Sequence, residues 1–258
     1  MKAFSFFSSK GGVGKTCHTE LFASYLRYYY GTRVCVLNFE SRLFNILNFR
    51  ESELQAMKNP DSSLSRYLSK HDSVPSPYDI IDFVHSDKGK LEYTGLNKIM
   101  FDNCWKFYDE HQYDYDYVLL DFDCLFIEDS VAFSVLLSGF VDLVAIPVCV
   151  DNESRIAGFS TAETLLYNNQ KPVVFWNNVS SADLVLNGYL DSGESLFRDK
   201  LGIDFLPERI KTFQKAKRDS EGKLFVRSTV CWPQRYVEMS CSELVSLYDD
   251  LKSRLDAI

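Results

Sequence analysis

One short stretch of the sequence has the residue types and the spacing of a phosphate-binding loop. Residues 10–16 read KGGVGKT, with three glycines among two lysines and a hydroxyl side chain at the end. Glycines let successive backbone N–H groups converge on phosphate oxygens, and Lys15 adds a positive charge beside them. The Thr16 hydroxyl is of the kind that ligates Mg²⁺ next to a bound nucleotide.

This loop predicts ATP or ADP together with Mg²⁺ as the cofactors. At average residue usage, such a pattern arises by chance in about one chain of this length in 10⁴ to 10⁵. The residues predicted to contact the nucleotide are Gly11, Gly12, Val13, Gly14, Lys15, Thr16 and Cys17.

The segments on either side of the loop are those that a phosphate-binding loop requires. Ala3–Phe7 is predicted to be a short buried strand, and Cys17–Tyr30 a helix with an apolar face that stops at Gly31. Val34–Leu37 is a second apolar run of strand length. A strand, a helix and a parallel strand form a right-handed crossover unit.

The same alternation continues along the chain and predicts the fold class. Further strands are predicted at Tyr117–Phe122, Leu143–Val148 and Val173–Trp176, and helices at Leu96–Glu110, Glu128–Leu137, Ser154–Tyr167 and Cys241–Leu255. Near-continuous apolar strands are typical of sheets covered on both faces. We expect one α/β domain over residues 1–258, with a doubly wound, mostly parallel sheet in three α/β/α layers. Residues 59–95 are the least regular part, where we expect short helices and loops.

The composition is that of a globular protein. Of 258 residues, 46% are hydrophobic and 25% are charged, which is enough apolar material for a sizeable core. The seven cysteines are odd in number and include no C-x-x-C pair, which indicates reduced and mostly buried thiols. No apolar run is long enough for a membrane span or a signal peptide. We therefore expect a cytoplasmic protein that does not span a membrane.

The loop also departs from the ordinary P-loop, and the departure carries a resemblance. Ser9 stands where the ordinary pattern has a glycine, and Lys10 precedes the paired glycines. In this the chain resembles the deviant P-loop ATPases of the ParA and MinD type. The resemblance implies that Lys10 reaches phosphates bound by a partner subunit, so that ATP promotes a homodimer. It also implies an activating partner protein.

The acidic positions of this family are partly changed in this chain. The family usually reads Asp-x-Asp-Pro after the second strand, whereas residues 38–41 read NFES. Asn38 supplies no negative charge, while Glu40 keeps the charge on a longer side chain. By resemblance both occupy catalytic positions, together with Lys10 and Lys15. Because a displacement of about 1 Å in a catalytic group costs on the order of 100-fold in rate, we expect nucleotide binding with slow hydrolysis.

Three later residues take their predicted roles from the resemblance. Asp121, at the end of a predicted strand, matches the carboxylate near Mg²⁺, but Asp123 and Cys124 replace the Pro-Pro that usually follows. Asn177 matches the asparagine that contacts adenine, since its amide can both donate to and accept from a base edge. A simple turn-forming role for Asn177 is the alternative. Pro207 marks the segment that closes over the base.

A basic segment near the C-terminus suggests a further partner. Residues 208–227 carry seven basic and three acidic side chains, within a chain of net charge −8. Some ParA proteins hold DNA through such a face, so non-specific DNA is a candidate partner. A solvated amphipathic helix is the alternative. The residues predicted to line the face are Lys211, Lys215, Lys217 and Arg218.

Other functions on the same fold are alternatives. A small-molecule kinase or ligase, and a nucleotide-binding regulator that no longer hydrolyses ATP, both agree with the sequence. An iron–sulfur reductase would need a cysteine pair at a dimer axis, and Cys104 and Cys124 lack the glycine-rich surroundings for it. Membrane positioning would need a basic amphipathic helix, whereas Glu243–Ile258 has more acidic than basic side chains.

Overall fold

Strands and helices alternate along the chain. The structure, a computed structural model, describes residues 1–40, 79–82, 96–126, 130–180, 187–211 and 242–258, with residues 46, 47, 51, 55, 58, 59 and 183 between them. The strands are β1 (Lys2–Phe6), β2 (Val34–Asn38), β3 (Asp79–Asp82), β4 (Tyr117–Asp121), β5 (Leu143–Val148), β6 (Val173–Val179) and β7 (Phe205–Lys211). The helices are α1 (Lys15–Tyr29), α2 (Leu96–His111), α3 (Val131–Leu136), α4 (Asn152–Tyr167), α5 (Asn187–Leu201) and α6 (Ser242–Ala257). Within these ranges, no helix is both long and apolar enough to cross a lipid bilayer.

The seven described strands form one parallel sheet. Their order across the sheet is β3-β2-β4-β1-β5-β6-β7, and every neighbouring pair is parallel. From β1 the chain crosses to one side of the sheet, and from β4 it crosses to the other. The carboxyl end of β1 therefore lies at a topological switch point, where doubly wound sheets bind their ligands.

Alternating side chains of the central strand divide the core into two clusters. Phe4 and Phe6 pack with α1 and α6 on one face of the sheet. Ala3 and Phe7 pack on the other face with residues of α2, α3, α4 and α5. All residues of β4 and β5 are buried, because helices cover both faces. The predicted three-layer α/β/α arrangement is confirmed.

The strand register places polar strand ends side by side. Asn38, the last residue of β2, pairs with Asp121, the last residue of β4. Ser5 of β1 pairs with Leu120 of β4, so β1 ends at the same edge of the sheet. The loop that follows β1 therefore begins next to Asn38 and Asp121, as the sequence predicts.

The structure contains two edge strands and one helix, α5, that the sequence pattern does not predict. β3 lies within residues 59–95, and the expectation of helices and loops is wrong at Asp79–Asp82. Four residues with an aspartate at each end give almost no apolar run. β7 has buried Leu206 and Ile210 among exposed and half-buried residues, as an edge strand does. Short and half-polar edge strands therefore escape a search for apolar runs.

Four helices begin one to three residues away from the predicted positions, among them α4 at Asn152 instead of Ser154 and α6 at Ser242 instead of Cys241. α1 begins at Lys15, two residues early, because Gly14 ends the loop in a left-handed conformation with φ 95°. α3 begins at Val131, where the Ser130 hydroxyl accepts a hydrogen bond from the Phe133 N–H. The predicted start at Glu128 lies outside the described residues.

Helix α4 packs so closely on β5 that Gly158 has no room for a side chain. A Cβ atom at Gly158 would lie 2.7 Å from Val148 Cγ2 and 3.7 Å from Phe197 Cζ. One turn earlier, the Ser154 hydroxyl accepts a hydrogen bond from the Cys149 N–H at 2.8 Å. The first half of α4 is thereby fixed to the carboxyl end of β5.

We expect Gly158→Ala to lower the free energy of unfolding by about 1–3 kcal/mol, the usual cost of an extra methyl group in a packed core. The matched control is Gly188→Ala in α5, where a Cβ atom meets nothing within 4 Å. Because alanine is the better helix former, the control should keep its stability or gain up to about 1 kcal/mol. Urea unfolding measures both variants, and equal effects would contradict the close packing of α4.

Candidate nucleotide-binding site

The loop between β1 and α1 depends on two glycines in left-handed backbone conformations. Gly12 has φ 77° and Gly14 has φ 95°, values that other residues rarely adopt. A Cβ atom at Gly14 would also lie 2.8 Å from Asn177 Nδ2. The Gly14 carbonyl accepts a hydrogen bond from the His18 N–H at 2.9 Å, in the first turn of α1. The loop therefore runs directly into a helix N-terminus, which favours anions.

A cavity of about 250 Å³ lies over this loop. Its walls are Gly11, Gly12, Gly14, Lys15, Thr16, Cys17, Glu20, Glu40, Phe122 and Cys124. Six of the seven predicted nucleotide contacts in residues 11–17 are among them, and so is Glu40. The sequence pattern does not single out Glu20 or Phe122, because their positions depend on the turn of α1 and the end of β4. Val13, by contrast, is buried away from this cavity.

The Lys15 side chain is almost completely buried beside the cavity. The residue is 8% exposed, and its Nζ donates a hydrogen bond to the Lys10 carbonyl oxygen at 3.2 Å. Burial lowers the pKa of Lys15, and the nearby Cys124 and Asp121 partly oppose this shift. A bound phosphate would supply the negative charge that favours the ammonium form.

Asp121 carries a fully buried carboxyl group next to the loop. Its Oδ1 accepts a hydrogen bond from the Thr16 hydroxyl at 3.1 Å. Its Oδ2 is buried and has no hydrogen-bond partner in the described part of the chain. Burial raises the pKa of Asp121 to about 7, although the Thr16 hydrogen bond and the charge of Lys15 oppose the shift.

Thr16 and Asp121 together fit a magnesium ion. Mg²⁺ takes oxygen ligands, and usually combines one or two protein oxygens with phosphate oxygens and water. The unpartnered Oδ2 of Asp121 is an acceptor that the ion or its bound water would satisfy. Among the described residues, no group of three or more His, Cys, Asp or Glu side chains could hold a metal. The nucleotide would therefore have to provide part of the coordination.

Asn38 makes two hydrogen bonds to Glu40, which stabilise the loop after β2. Its Nδ2 donates to the Glu40 carbonyl oxygen at 3.2 Å, and its Oδ1 accepts from the Glu40 N–H at 3.3 Å. Asn38 is fully buried, and Glu40 is 9% exposed. An aspartate could not make the first of these bonds, because a carboxylate has no N–H to donate. The amide at position 38 therefore holds the loop in shape, whereas its catalytic position stays a prediction.

The two residues predicted to contact the base do not line the cavity over the loop. Asn177 Nδ2 donates to the Val13 carbonyl oxygen at 2.7 Å and ties β6 to the loop. Asn177 belongs to β6, and the left-handed conformation falls on Asn178, with φ 59°. Pro207 is exposed within β7. Contact of Asn177 and Pro207 with a base stays a prediction.

The Lys10 side chain lies against the first turn of α4. Its ammonium donates to Glu153 Oε2 at 2.7 Å, and the two side chains are 37% and 79% exposed. The hydrogen bond and the charge of Glu153 raise the pKa of Lys10. The two lysines of the loop therefore have separate surroundings. Glu153 is part of the candidate site through this contact. The sequence pattern does not reveal it, since it is distant from Lys10 along the chain.

The predicted DNA face is described at one of its four residues. Lys211 ends β7, and its ammonium pairs with Glu243 Oε1 at 2.6 Å. Lys215, Lys217 and Arg218 lie outside the described residues. Because an ion pair carries no net charge, Lys211 adds little to an anion-binding surface. DNA binding stays a prediction.

Solved structures of known proteins share the fold of this chain. No protein-family model matches the sequence, and a search of the curated proteins finds no match. The MinD cell division protein of Aquifex aeolicus superimposes with a TM-score of 0.61 at 16% identity, over 98% of this chain and 97% of that one. The ParA of pNOB8 gives 0.62 at 14% identity, over 99% of each chain.

The fold is that of the MinD and ParA ATPases. A third structure with this fold, a Borrelia burgdorferi B31 protein assigned to plasmid partition and bound to AMPPNP, gives a TM-score of 0.59 at 14% identity. It covers 100% of this chain and 99% of its own. At identities of 14–16%, the similarity to the MinD and ParA proteins shows the fold alone. The fold predicted from residues 10–16 and the strand pattern is confirmed.

The buried Asp121 predicts a pH-dependent stability. Its pKa is raised to about 7 in the fold, whereas an unfolded aspartate titrates near about 3.9. Between these values the folded state holds the extra proton, so the free energy of unfolding decreases as the pH rises through this window. Asp121→Asn does not titrate and should lose this part of the pH dependence.

Urea unfolding of both nucleotide-free proteins between about pH 4.5 and pH 8 measures this effect. The stability of the unmodified protein relative to Asp121→Asn should fall as the pH rises. Parallel stability curves for the two proteins would contradict the raised pKa of Asp121.

Proposed function

We propose that this protein is an ATP-binding switch that pairs with a second copy of itself in the ATP state. The observation that carries the proposal is the glycine loop at the carboxyl end of β1, where Lys15 is buried beside a cavity of about 250 Å³. A loop of this kind between a strand and a helix N-terminus suits the phosphates of a nucleotide. The AMPPNP-bound neighbour of the same fold supports ATP as the ligand.

The residues around the cavity would share the work of binding. Backbone N–H groups of the loop and the Lys15 ammonium would hold the phosphates, while Thr16 and Asp121 would hold Mg²⁺. The ion, when bound, neutralises phosphate charge and orients the nucleotide. The phosphates also give Lys15 a counter-charge, which offsets the cost of burying its ammonium.

Lys10 is the residue proposed to link nucleotide binding to pairing. Its ammonium lies at the surface in an ion pair with Glu153, and water screens such exposed pairs, so release costs little. The resemblance to deviant P-loop ATPases implies that Lys10 then contacts phosphates of the partner subunit. These contacts exist only in the paired ATP state, so the bound nucleotide shifts the population between single and paired chains.

Hydrolysis is proposed to be slow, below about 1 s⁻¹. Asn38 has no charge and is engaged in closing the loop after β2. Glu40 lines the cavity and is the carboxylate left at this position, but its longer side chain displaces the acidic group. An activating partner protein would accelerate turnover. Neighbours named for cell division and plasmid partition favour a role in positioning DNA or another cargo.

We expect Lys15→Ala to abolish ATP binding, because it removes the buried ammonium beside the cavity. Lys10→Ala should keep most of the affinity of a single chain for ATP and lose ATP-dependent pairing. Calorimetry with a non-hydrolysable ATP analogue measures binding. Analytical ultracentrifugation measures pairing, with ADP as the reference state.

The matched control for these variants is Lys106→Ala. Lys106 is also exposed and pairs with a glutamate, Glu110, on α2, and its removal should change neither binding nor pairing. Equal loss of nucleotide affinity in the Lys10 and Lys15 variants would contradict the separate roles of the two lysines. A wild-type protein that binds no ATP analogue would refute the proposed function.

Restoring the usual acidic residues is expected to speed hydrolysis. Asn38→Asp with Glu40→Asp supplies two carboxylates at the family's positions, but it removes the hydrogen bond from Asn38 to the Glu40 carbonyl. Turnover should therefore rise without tighter nucleotide binding, while the free energy of unfolding falls by about 1–3 kcal/mol. Phosphate release and urea unfolding measure the two effects.

Asn38→Ala is the control, because it loses both hydrogen bonds to Glu40 without adding a carboxylate. It should lower stability and leave turnover slow. A fast wild-type rate in the absence of any partner would show that Asn38 and Glu40 do not limit hydrolysis.

A further inference from the structure

A chain of three hydrogen bonds fastens residue 9 to helix α4. The Ser9 N–H donates to Thr161 Oγ1 at 3.2 Å, and the Thr161 hydroxyl donates to Ser9 Oγ at 3.2 Å. The Ser9 hydroxyl then donates to the Ala157 carbonyl oxygen at 3.4 Å. Each hydroxyl thus donates once and accepts once. Thr161 is 1% exposed and Ser9 is half-buried, so these contacts are partly shielded from solvent.

The same contacts lead to the buried lysine of the loop. Ser9 is joined by a peptide bond to Lys10, whose carbonyl oxygen accepts a hydrogen bond from Lys15 Nζ at 3.2 Å. The position of residue 9 therefore restricts where this carbonyl can lie, together with the hydrogen bond from the Lys10 N–H to Ser8 Oγ at 3.3 Å. Thr161 is thus connected indirectly to the Lys15 ammonium. It is hydrogen-bonded to Ser9, and the neighbouring Lys10 carbonyl accepts the hydrogen bond from Lys15.

Helix α4 is itself a firm support for the loop. Gly158 leaves no space between the helix and Val148 of β5, and Ser154 is bonded to the Cys149 N–H. The loop in turn is attached to α4 by the hydrogen bonds of Ser9 to Thr161 and Ala157 and by the ion pair of Lys10 with Glu153. The ordinary P-loop has a glycine at position 9, which carries no hydroxyl to complete such a chain.

We propose that Thr161, acting through Ser9, is a positioning residue for the Lys15 ammonium, so that α4 sets the shape of the phosphate loop. The inference rests on the proposed nucleotide binding and adds the element that controls it. Loss of the Thr161 hydroxyl leaves the Ser9 N–H without this partner and removes one restraint on the backbone that leads to the Lys10 carbonyl. The ammonium of Lys15 then loses its fixed position beside the cavity.

Thr161→Val tests the proposal, because valine keeps the shape of threonine and removes the hydroxyl. We expect its affinity for a non-hydrolysable ATP analogue to fall on the order of 10-fold, the lower end of the loss seen when a residue that hydrogen-bonds to a metal ligand is replaced. Thr161→Ser keeps the hydroxyl and should restore most of the affinity. Thr164→Val is the control, since the Thr164 hydroxyl donates to the Ser160 carbonyl within α4 at 2.9 Å, and it should have wild-type affinity.

A double-mutant cycle tests whether Thr161 acts on the loop through Ser9. Ser9→Ala and Thr161→Val break the same chain of bonds, so the double variant should bind no more weakly than the weaker single variant. Losses that add independently, or unchanged affinity in Thr161→Val, would overturn the proposal.

Amide hydrogen exchange gives a readout that needs no nucleotide. In the nucleotide-free protein, the amides of residues 9–15 should exchange faster in Thr161→Val than in Thr164→Val. Equal exchange in the two variants would also overturn the proposal, whatever their melting temperatures. If the wild-type protein binds no ATP analogue but Thr161→Val still exchanges faster than Thr164→Val, the proposed function is refuted and the positioning role of Thr161 is supported.

Discussion

Burying the carboxyl group of Asp121 at the end of a central strand is energetically unfavourable, and the residues around the candidate site partly offset this cost. One oxygen is satisfied by the Thr16 hydroxyl, and the charge of Lys15 is close enough to act on the group. The parallel register brings these partners together, because β1 and β4 end at one edge of the sheet. The pKa of the lysine is lowered and that of the carboxyl group is raised. Both shifts favour neutral groups, so the nucleotide and metal ion proposed to bind here would supply the charges that each of them lacks.

The loop separates two kinds of contact by a few residues. Lys15 and Thr16 face the cavity and the end of β4, whereas Ser9 and Lys10 are attached to α4. The paired glycines lie between these two groups and have no side chains to couple them. A displacement of α4 would therefore affect the cavity through the backbone of the loop. The Lys10 carbonyl is the point of contact, because it accepts the hydrogen bond from Lys15 Nζ. A site of this design can respond to a change at α4 without a change in the residues that touch the nucleotide.

The loop is predictable from the sequence because its signal is local. Glycine spacing, the preceding strand and the following helix all lie within a few dozen residues. The strands at the centre of the sheet were predicted for the same reason, since burial on both faces makes them continuously apolar. Glu153 and Thr161 were not predictable, because more than 140 residues separate them from their partners in the loop. The role of Asn38 in stabilising the loop after β2 is also not predictable, since its hydrogen bonds to Glu40 depend on a buried loop geometry that no residue pattern specifies.

The two edges of the sheet bear on how this protein avoids aggregation. An exposed edge strand offers unpaired N–H and C=O groups to any other chain, and proteins protect such edges with short strands, charges and proline. β3 has four residues with an aspartate at each end, and β7 carries Pro207, which lacks an N–H, and ends at a lysine. Neither edge is a good template for adding a foreign strand. The reversible pairing proposed for the ATP state can then proceed without competition from irreversible growth of the sheet.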